Sequence, residues 1–244
     1  MNDKIHKISV QRLLLDNVLQ ELKRNNQMRE LAKPNEIIWQ QMTMSYFETF
    51  LDHGLHFVRY DTLCDHNPGQ ERDWQKSYPS LNDYSKNNYI SCWYNSSQLS
   101  NVIFEAYAKK GIAIGIEIEK LIKLLPNDSD DFYLGNVQYI SDEELDTNEY
   151  VVADYQKIAP VFLKKAHCSA DKEFRICMYK ENDTNKESKV KCEFGDGWYI
   201  AMTHTITEDP KALLEKKGLK YIESEIKMDG FIVYKIKRNN NSKS

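Results

Sequence analysis

Residues 169–179 are Ser169-Ala170-Asp171-Lys172-Glu173-Phe174-Arg175-Ile176-Cys177-Met178-Tyr179. Aromatic and β-branched side chains crowd its second half, which favours a strand. Side chains alternate faces along a strand. Asp171, Glu173 and Arg175 then share one face, with neighbours about 6–7 Å apart, and Lys172, Phe174 and Ile176 share the other. Charges at alternate positions suit a solvated strand face. They equally suit a cleft that does chemistry.

Working outward, the chain alternates short strand-like runs with amphipathic helices. Upstream, Ile8, Leu14, Val18, Leu19 and Leu22 sit at helical spacing over residues 7–25, and Pro34 and Asn35 punctuate the pattern. A second helical pattern covers 36–52 through Ile37, Ile38, Trp39, Met42, Tyr46, Phe47 and Leu51, with Gly54 as its stop. Together these predict a helical hairpin over 1–54, packed on the main domain or used as a partner-binding arm. Residues 55–60 predict the first strand, with His56, Val58 and Tyr60 on one face and Leu55, Phe57 and Arg59 on the other. Residues 64–88 are polar and predict a long surface loop. A strand over 89–94, a helix over 98–109 and a strand over 112–118 follow, the last with few polar positions and therefore central. A helix at 119–125 stops before Pro126, a strand spans 135–140, and 150–168 predicts a helix ending near His167. Beyond the opening strand come a polar loop at 181–191, a strand near 197–203, a helix at 209–217 and a last strand at 230–237. Residues 238–244 predict a disordered tail. The sum is an α+β domain over 55–237 with about six or seven strands.

Composition narrows the function classes. The 244 residues are 41% hydrophobic and 29% charged, with a formal net charge of −4, which describes an ordinary soluble globular protein. No overall attraction to nucleic acid or an anionic membrane follows from that balance. Five cysteines, an odd number, occur at 64, 92, 168, 177 and 192 with no CxxC pair. This usage suits a reducing cytoplasm. The amino-terminal stretch lacks the apolar run of a signal peptide, and no stretch approaches a membrane span. Glycine numbers nine, and neither GxGxxG nor GxxxxGK[ST] occurs, so the glycine-loop nucleotide folds are not expected.

Metal chemistry is not expected either. Cys64 with His66, and His167 with Cys168, lack a second half at ligand spacing. The acidic runs at 128–131 and 142–146 lack calcium-loop order. No G-x-S-x-G elbow marks a hydrolase nucleophile. What remains is a constellation on three strands: Arg59 on the first, Ser91 and Tyr94 on the second, Asp171 and Glu173 on a later one. The same charges also fit a plain ion-pair network of Arg59, Glu173 and Arg175 on a sheet.

Several motifs carry a resemblance. Y-I-S-C-W-Y at 89–94, F-E-A-Y-A-K-K-G-I-A-I-G-I, G-N-V-Q-Y-I, F-L-K-K at 162–165 and D-K-E-F-R occur in that order. Over roughly residues 55–179 this resembles the bacterial "domain of unknown function 2971" family. The arrangement also resembles the R-S-E members of the ADP-ribosyltransferase superfamily. That resemblance implies a mixed, largely antiparallel split sheet of ADP-ribosyltransferase type with an N-terminal helical extension. It implies NAD as substrate, no metal, and a macromolecular acceptor, protein or nucleic acid. Glu173 takes the role of the essential carboxylate, with Asp171 beside it for the acceptor. Arg59 takes the pyrophosphate, Ser91 or Tyr94 the middle role, and Tyr60, Trp93 or Tyr94 stack on a ring of the dinucleotide. A cytoplasmic toxin or phage-defence effector fits, with an antitoxin or self-association through the N-terminal helices and no membrane partner. A non-catalytic binding module on the same fold and an NAD glycohydrolase are the alternatives.

The chemistry of such a site is simple. A guanidinium grips phosphates through charge-assisted, bidentate bonds. Loss of nicotinamide leaves oxocarbenium-like positive charge on the ribose, which a fixed carboxylate stabilises.

Overall fold

A computed structural model describes residues 33–62, 86–108, 110–126, 131–140, 159–203 and 209–239. The expected helix over 7–25, most of the loop over 64–88 and the chain beyond 239 lie outside these residues. The protein is α+β, with an open, antiparallel, strand-rich sheet and few helices. It divides into two compact units whose segments interleave along the chain.

One unit takes residues 33–55, 93–125 and 190 onward. Its strands are β1 (Ile37–Met42), β4 (Ile112–Glu117), β10 (Trp198–Thr203), β11 (Leu219–Glu223) and β12 (Phe231–Arg238). They lie in the order β11-β12-β10-β4-β1, each pair antiparallel. The second half of β3 (Asn88–Asn95) adds to β1, with Trp39 opposite Tyr94. Its helices are α1 (Met44–His53), α2 (Asn101–Ala108), α3 (Ile118–Leu124) and α4 (Lys211–Lys216).

The helix expected over 36–52 is therefore a strand followed by a helix. Ile37, Ile38 and Trp39 carry β-propensity, and β1 is paired on both sides, which outweighs the helical spacing. Thr43 marks the switch: its hydroxyl accepts from the Tyr46 N–H at 3.3 Å and caps α1. Gly54 ends α1 at φ 81°, where an added Cβ would stand 2.4 Å from the Cys192 nitrogen and the Val190 oxygen. The two faces of the sheet are both packed. Trp39, Tyr94, Phe104, Ala113, Tyr199, Ala201, Phe231 and Val233 form one cluster. On the other face Phe50, Trp93, Phe194 and Trp198 meet with ring centroids 5.1–6.4 Å apart. Gly115 lies under Trp39, and a Cβ there would meet the indole at 2.5 Å.

The other unit takes described residues from 56–92 and 126–189. It holds β2 (Leu55–Arg59) from His56 onward, the first half of β3, β5 (Asp131–Asn136), β6 (Gln138–Ile140), β7 (Leu163–Lys165), β8 (Glu173–Tyr179) and most of β9 (Glu187–Val190). β8 lies between β3 and β5, β2 between β3 and β9, and β6 pairs with β7 in parallel. The described part of the helix expected at 150–168 is instead a 3-10 turn (Ala159–Phe162), β7, and a second 3-10 turn (Ala166–Asp171). Pro160 in this segment opposes an α-helix interior. The strand expected at 135–140 breaks into β5 and β6. The polar loop at 181–191 contains β9, and β11 was not foreseen.

Candidate functional site

β8 begins at Glu173 because Lys172 sits at φ 40° and breaks the extended run. Asp171 thus belongs to the preceding 3-10 turn and not to the strand. Residues 173–178 are buried on both faces of the sheet. The strand has no solvated face to fill, so its two charges must satisfy each other. The Arg175 guanidinium donates from Nε to Glu173 Oε1 at 2.7 Å and from Nη2 to Oε2 at 3.1 Å. This is the fork geometry that suits arginine to a carboxylate. Arg175 Nη1 donates to the Val161 carbonyl, which ties the 3-10 turn at 159–162 to β8. The Tyr60 ring centroid lies 5.9 Å from the guanidinium carbon.

Around this pair stand three residues that spacing alone did not single out. Lys164, on β7, places its ammonium 2.6 Å from Asp171 Oδ2 and 3.4 Å from Glu173 Oε2. The Tyr139 hydroxyl accepts the Glu173 backbone N–H at 2.8 Å. The Cys92 thiol hydrogen-bonds to the Glu173 carboxylate. Exposure grades across the group: the Glu173 side chain is 9% exposed, Lys164 14% and Asp171 31%. Asp171 and Lys164 therefore form its solvent edge.

Electrostatics fix the protonation states. Burial alone would raise the Glu173 carboxyl, but the charge and hydrogen bonds of Arg175, then Lys164, outweigh it and hold the group well below the usual carboxylate range. Burial opposes the charge on Arg175, and Glu173 more than restores it. Burial pushes the Tyr139 hydroxyl up to about 12 and lifts the Cys92 thiol further from ionisation, with Glu173 adding to it. Glu173 is thus an ionised, oriented carboxylate in dry surroundings, and Cys92 is no thiolate nucleophile.

The remaining candidates scatter. Arg59 ends β2, where Nε donates to Asp61 at 2.7 Å and Nη1 donates to the Thr184 and Asn185 carbonyls at 3.3 Å each. It anchors the 184–186 turn and makes no ion pair with Glu173, so the three-charge network reduces to Glu173–Arg175. Arg59 nevertheless precedes Tyr60, whose ring meets Arg175. Ser91 is buried on β3, on the face opposite Cys92. Trp93 and Tyr94, 2% and 5% exposed, belong to the other unit and pack in its core. Trp93 faces Trp198, and Tyr94 joins the Trp39 cluster. Glu173, Asp171 and Tyr60 are the sequence candidates that converge. Lys164 lay in the F-L-K-K run and Cys92 in Y-I-S-C-W-Y, but only the pairing of β7 and β3 near β8 reveals their roles.

Comparison of the chain with family models, with curated proteins and with solved structures returned no match.

Proposed function

We propose that the Glu173 cluster cleaves NAD and transfers ADP-ribose to a macromolecule, on a sheet of ADP-ribosyltransferase type. The observation that carries this reading is an ionised carboxylate, oriented bidentately by a buried arginine, with a second carboxylate at its solvent edge. Glu173 has the charge and fixed position needed to face a ribose that becomes positive as nicotinamide leaves. In the step, the bond from ribose C1′ to nicotinamide breaks and nicotinamide keeps the electron pair. The acceptor nucleophile bonds to C1′ and releases its proton to Asp171. With water as acceptor the same step is NAD hydrolysis. Among the described residues, Lys164 is the cation at the edge of the cluster that would meet the pyrophosphate, and Arg59 is one residue from Tyr60. Transfer to a cellular macromolecule is the chemistry of a toxin or defence effector.

A second reading has its own observation. Both oxygens of Glu173 are already engaged, by Arg175, Lys164 and Cys92. A carboxylate so occupied suits a non-catalytic binding module, with the cluster as its internal brace. The deciding experiment incubates the purified chain with labelled NAD and cell lysate. Nicotinamide release is measured beside label in separate protein and nucleic-acid fractions. Transfer predicts both, with Glu173→Gln slower by about 10²-fold or more. NAD binding without nicotinamide release selects the binding module. Neither binding nor release leaves the ion pair as a purely structural element.

A further inference from the structure

Antiparallel partners share a face, so register sets out what lies on each side of β11 and β12. Lys220 stands directly opposite Lys237, and Ile222 directly opposite Lys235. All four side chains therefore occupy one face, with Lys235 in turn opposite Tyr199 on β10. Like charges directly opposite each other on a sheet destabilise it. Among the described residues, none of the three lysines has a carboxylate within ion-pair distance. Glu223, the acid of β11, lies on the opposite face, across from Tyr234. Ile222 is 45% exposed at the centre of the group.

The concentration of charge is local. Residues 211–238 hold eight Lys and Arg against four Asp and Glu, in a chain whose net charge is −4, and of the eight, Lys217, Lys227 and Arg238 pair with Asp52, Glu223 and Glu193. Lys120, on the same unit, is already neutralised by Glu117 at 2.6 Å. The β11–β12 face is instead left positive at fixed positions, two lysines across a strand pair and a third about 7 Å along β12.

We infer that the β11–β12 face binds the phosphate backbone of duplex nucleic acid. The three ammonium groups supply cations at defined spacing, as counterion-releasing backbone contact requires. A single strand would call for exposed rings on which bases stack. Tyr199 is buried at 8% exposure, and Tyr221 and Tyr234 pack against each other on the opposite face. A bilayer would call for more apolar area than one isoleucine provides. Contact is with phosphates and carries no sequence preference. This inference is independent of the chemistry at Glu173.

The test measures anisotropy of labelled random-sequence DNA and RNA duplexes with the full chain, over a range of salt. Wild type and the Lys220→Gln, Lys235→Gln and Lys237→Gln variants are compared, singly and combined, with thermal melting of each. Each substitution is expected to reduce the salt slope by about 0.9, and the triple variant to weaken binding about tenfold or more. Lys220→Gln or Lys237→Gln alone is expected to hold or raise the melting temperature, because the opposed pair is relieved. Weakened binding with an undiminished melting temperature supports the inference, with either duplex. Equal binding by wild type and a folded triple variant overturns it. Binding to phosphatidylserine vesicles or to single strands without duplex binding also overturns it.

Discussion

Removing the Arg175 guanidinium should expose how the Glu173 cluster is balanced. Arg175→Met keeps much of the side-chain volume and deletes the charge. Glu173 loses bonds at 2.7 and 3.1 Å, and the Val161 carbonyl loses its donor. Breaking a buried ion pair from one side costs about 3–5 kcal/mol. Lys164 starts 3.4 Å from Oε2 and can close in, and Cys92 still donates. The expected loss is therefore near the low end, about 3 kcal/mol at pH 7. It should also depend on pH. Without Arg175, only Lys164 and Cys92 oppose burial, the largest single cause, and the folded-state carboxyl is expected to titrate above its unfolded value of 4.5. A group raised in the folded state carries no penalty below its unfolded value, and the penalty grows as pH rises past it. Urea unfolding followed by circular dichroism, with hydrogen exchange at the β8 amides, should show a smaller loss near pH 4 than at pH 7. Glu173→Leu combined with Arg175→Met should recover much of the stability, because no charge remains buried. A loss under about 1 kcal/mol that is equal at both pH values would refute the buried-pair account.

Further expectations follow from the same contacts. In the wild type, Glu173 is held down to about 2 against 4.5 unfolded, as Arg175 and Lys164 outweigh burial. Its stabilisation is present above 4.5 and is lost as pH falls toward 2. Acid titration of stability should show this decline, and Glu173→Gln should flatten it. Gly115→Ala drives a Cβ to 2.5 Å from the Trp39 ring and should cost about 1–3 kcal/mol, visible as a shifted urea midpoint. Thr43→Ala removes the cap on α1 and should cost about 1 kcal/mol, with faster exchange at the Tyr46 amide.

The local patterns that survive folding are those in which propensity and pairing agree. β2, β3, β4, β10 and β12 lie close to where alternation and β-branched runs put them. The helical spacing at 36–52 misled because Ile37, Ile38 and Trp39 also satisfy a strand, and β1 gains two paired edges by taking that form. β11 was hidden by charge: Leu219, Lys220, Tyr221, Ile222 and Glu223 alternate only weakly, and its pairing with β12 creates the strand. At the site, the Glu173–Arg175 face was legible from two-residue spacing. Lys164, Tyr139 and Cys92 were not, because they come from three other strands and no local spacing relates them to β8. Trp93 and Tyr94 show the converse. Their motif stood out in the chain, yet both rings fill the core of the other unit.

The two carboxylates near Lys164 are not equivalent, and their difference bears on any activity. Glu173 is fixed by three partners at 9% exposure, while Asp171 leans on the single ammonium of Lys164 at 31%. An incoming cationic or polar group meets Asp171 first. Lys164 holds Glu173 at 3.4 Å, longer than the 2.7 and 3.1 Å bonds from Arg175, and is the looser of the two cations on it. If the site transfers ADP-ribose, Asp171→Asn should therefore impair labelling of the acceptor while sparing slow NAD hydrolysis. Glu173→Gln should impair both, because the charge that faces the reacting ribose is gone. Nicotinamide release and acceptor labelling, measured in parallel, separate the two. An equal fall in both rates for Asp171→Asn would mean that Asp171 acts only through Lys164, as a brace for Glu173.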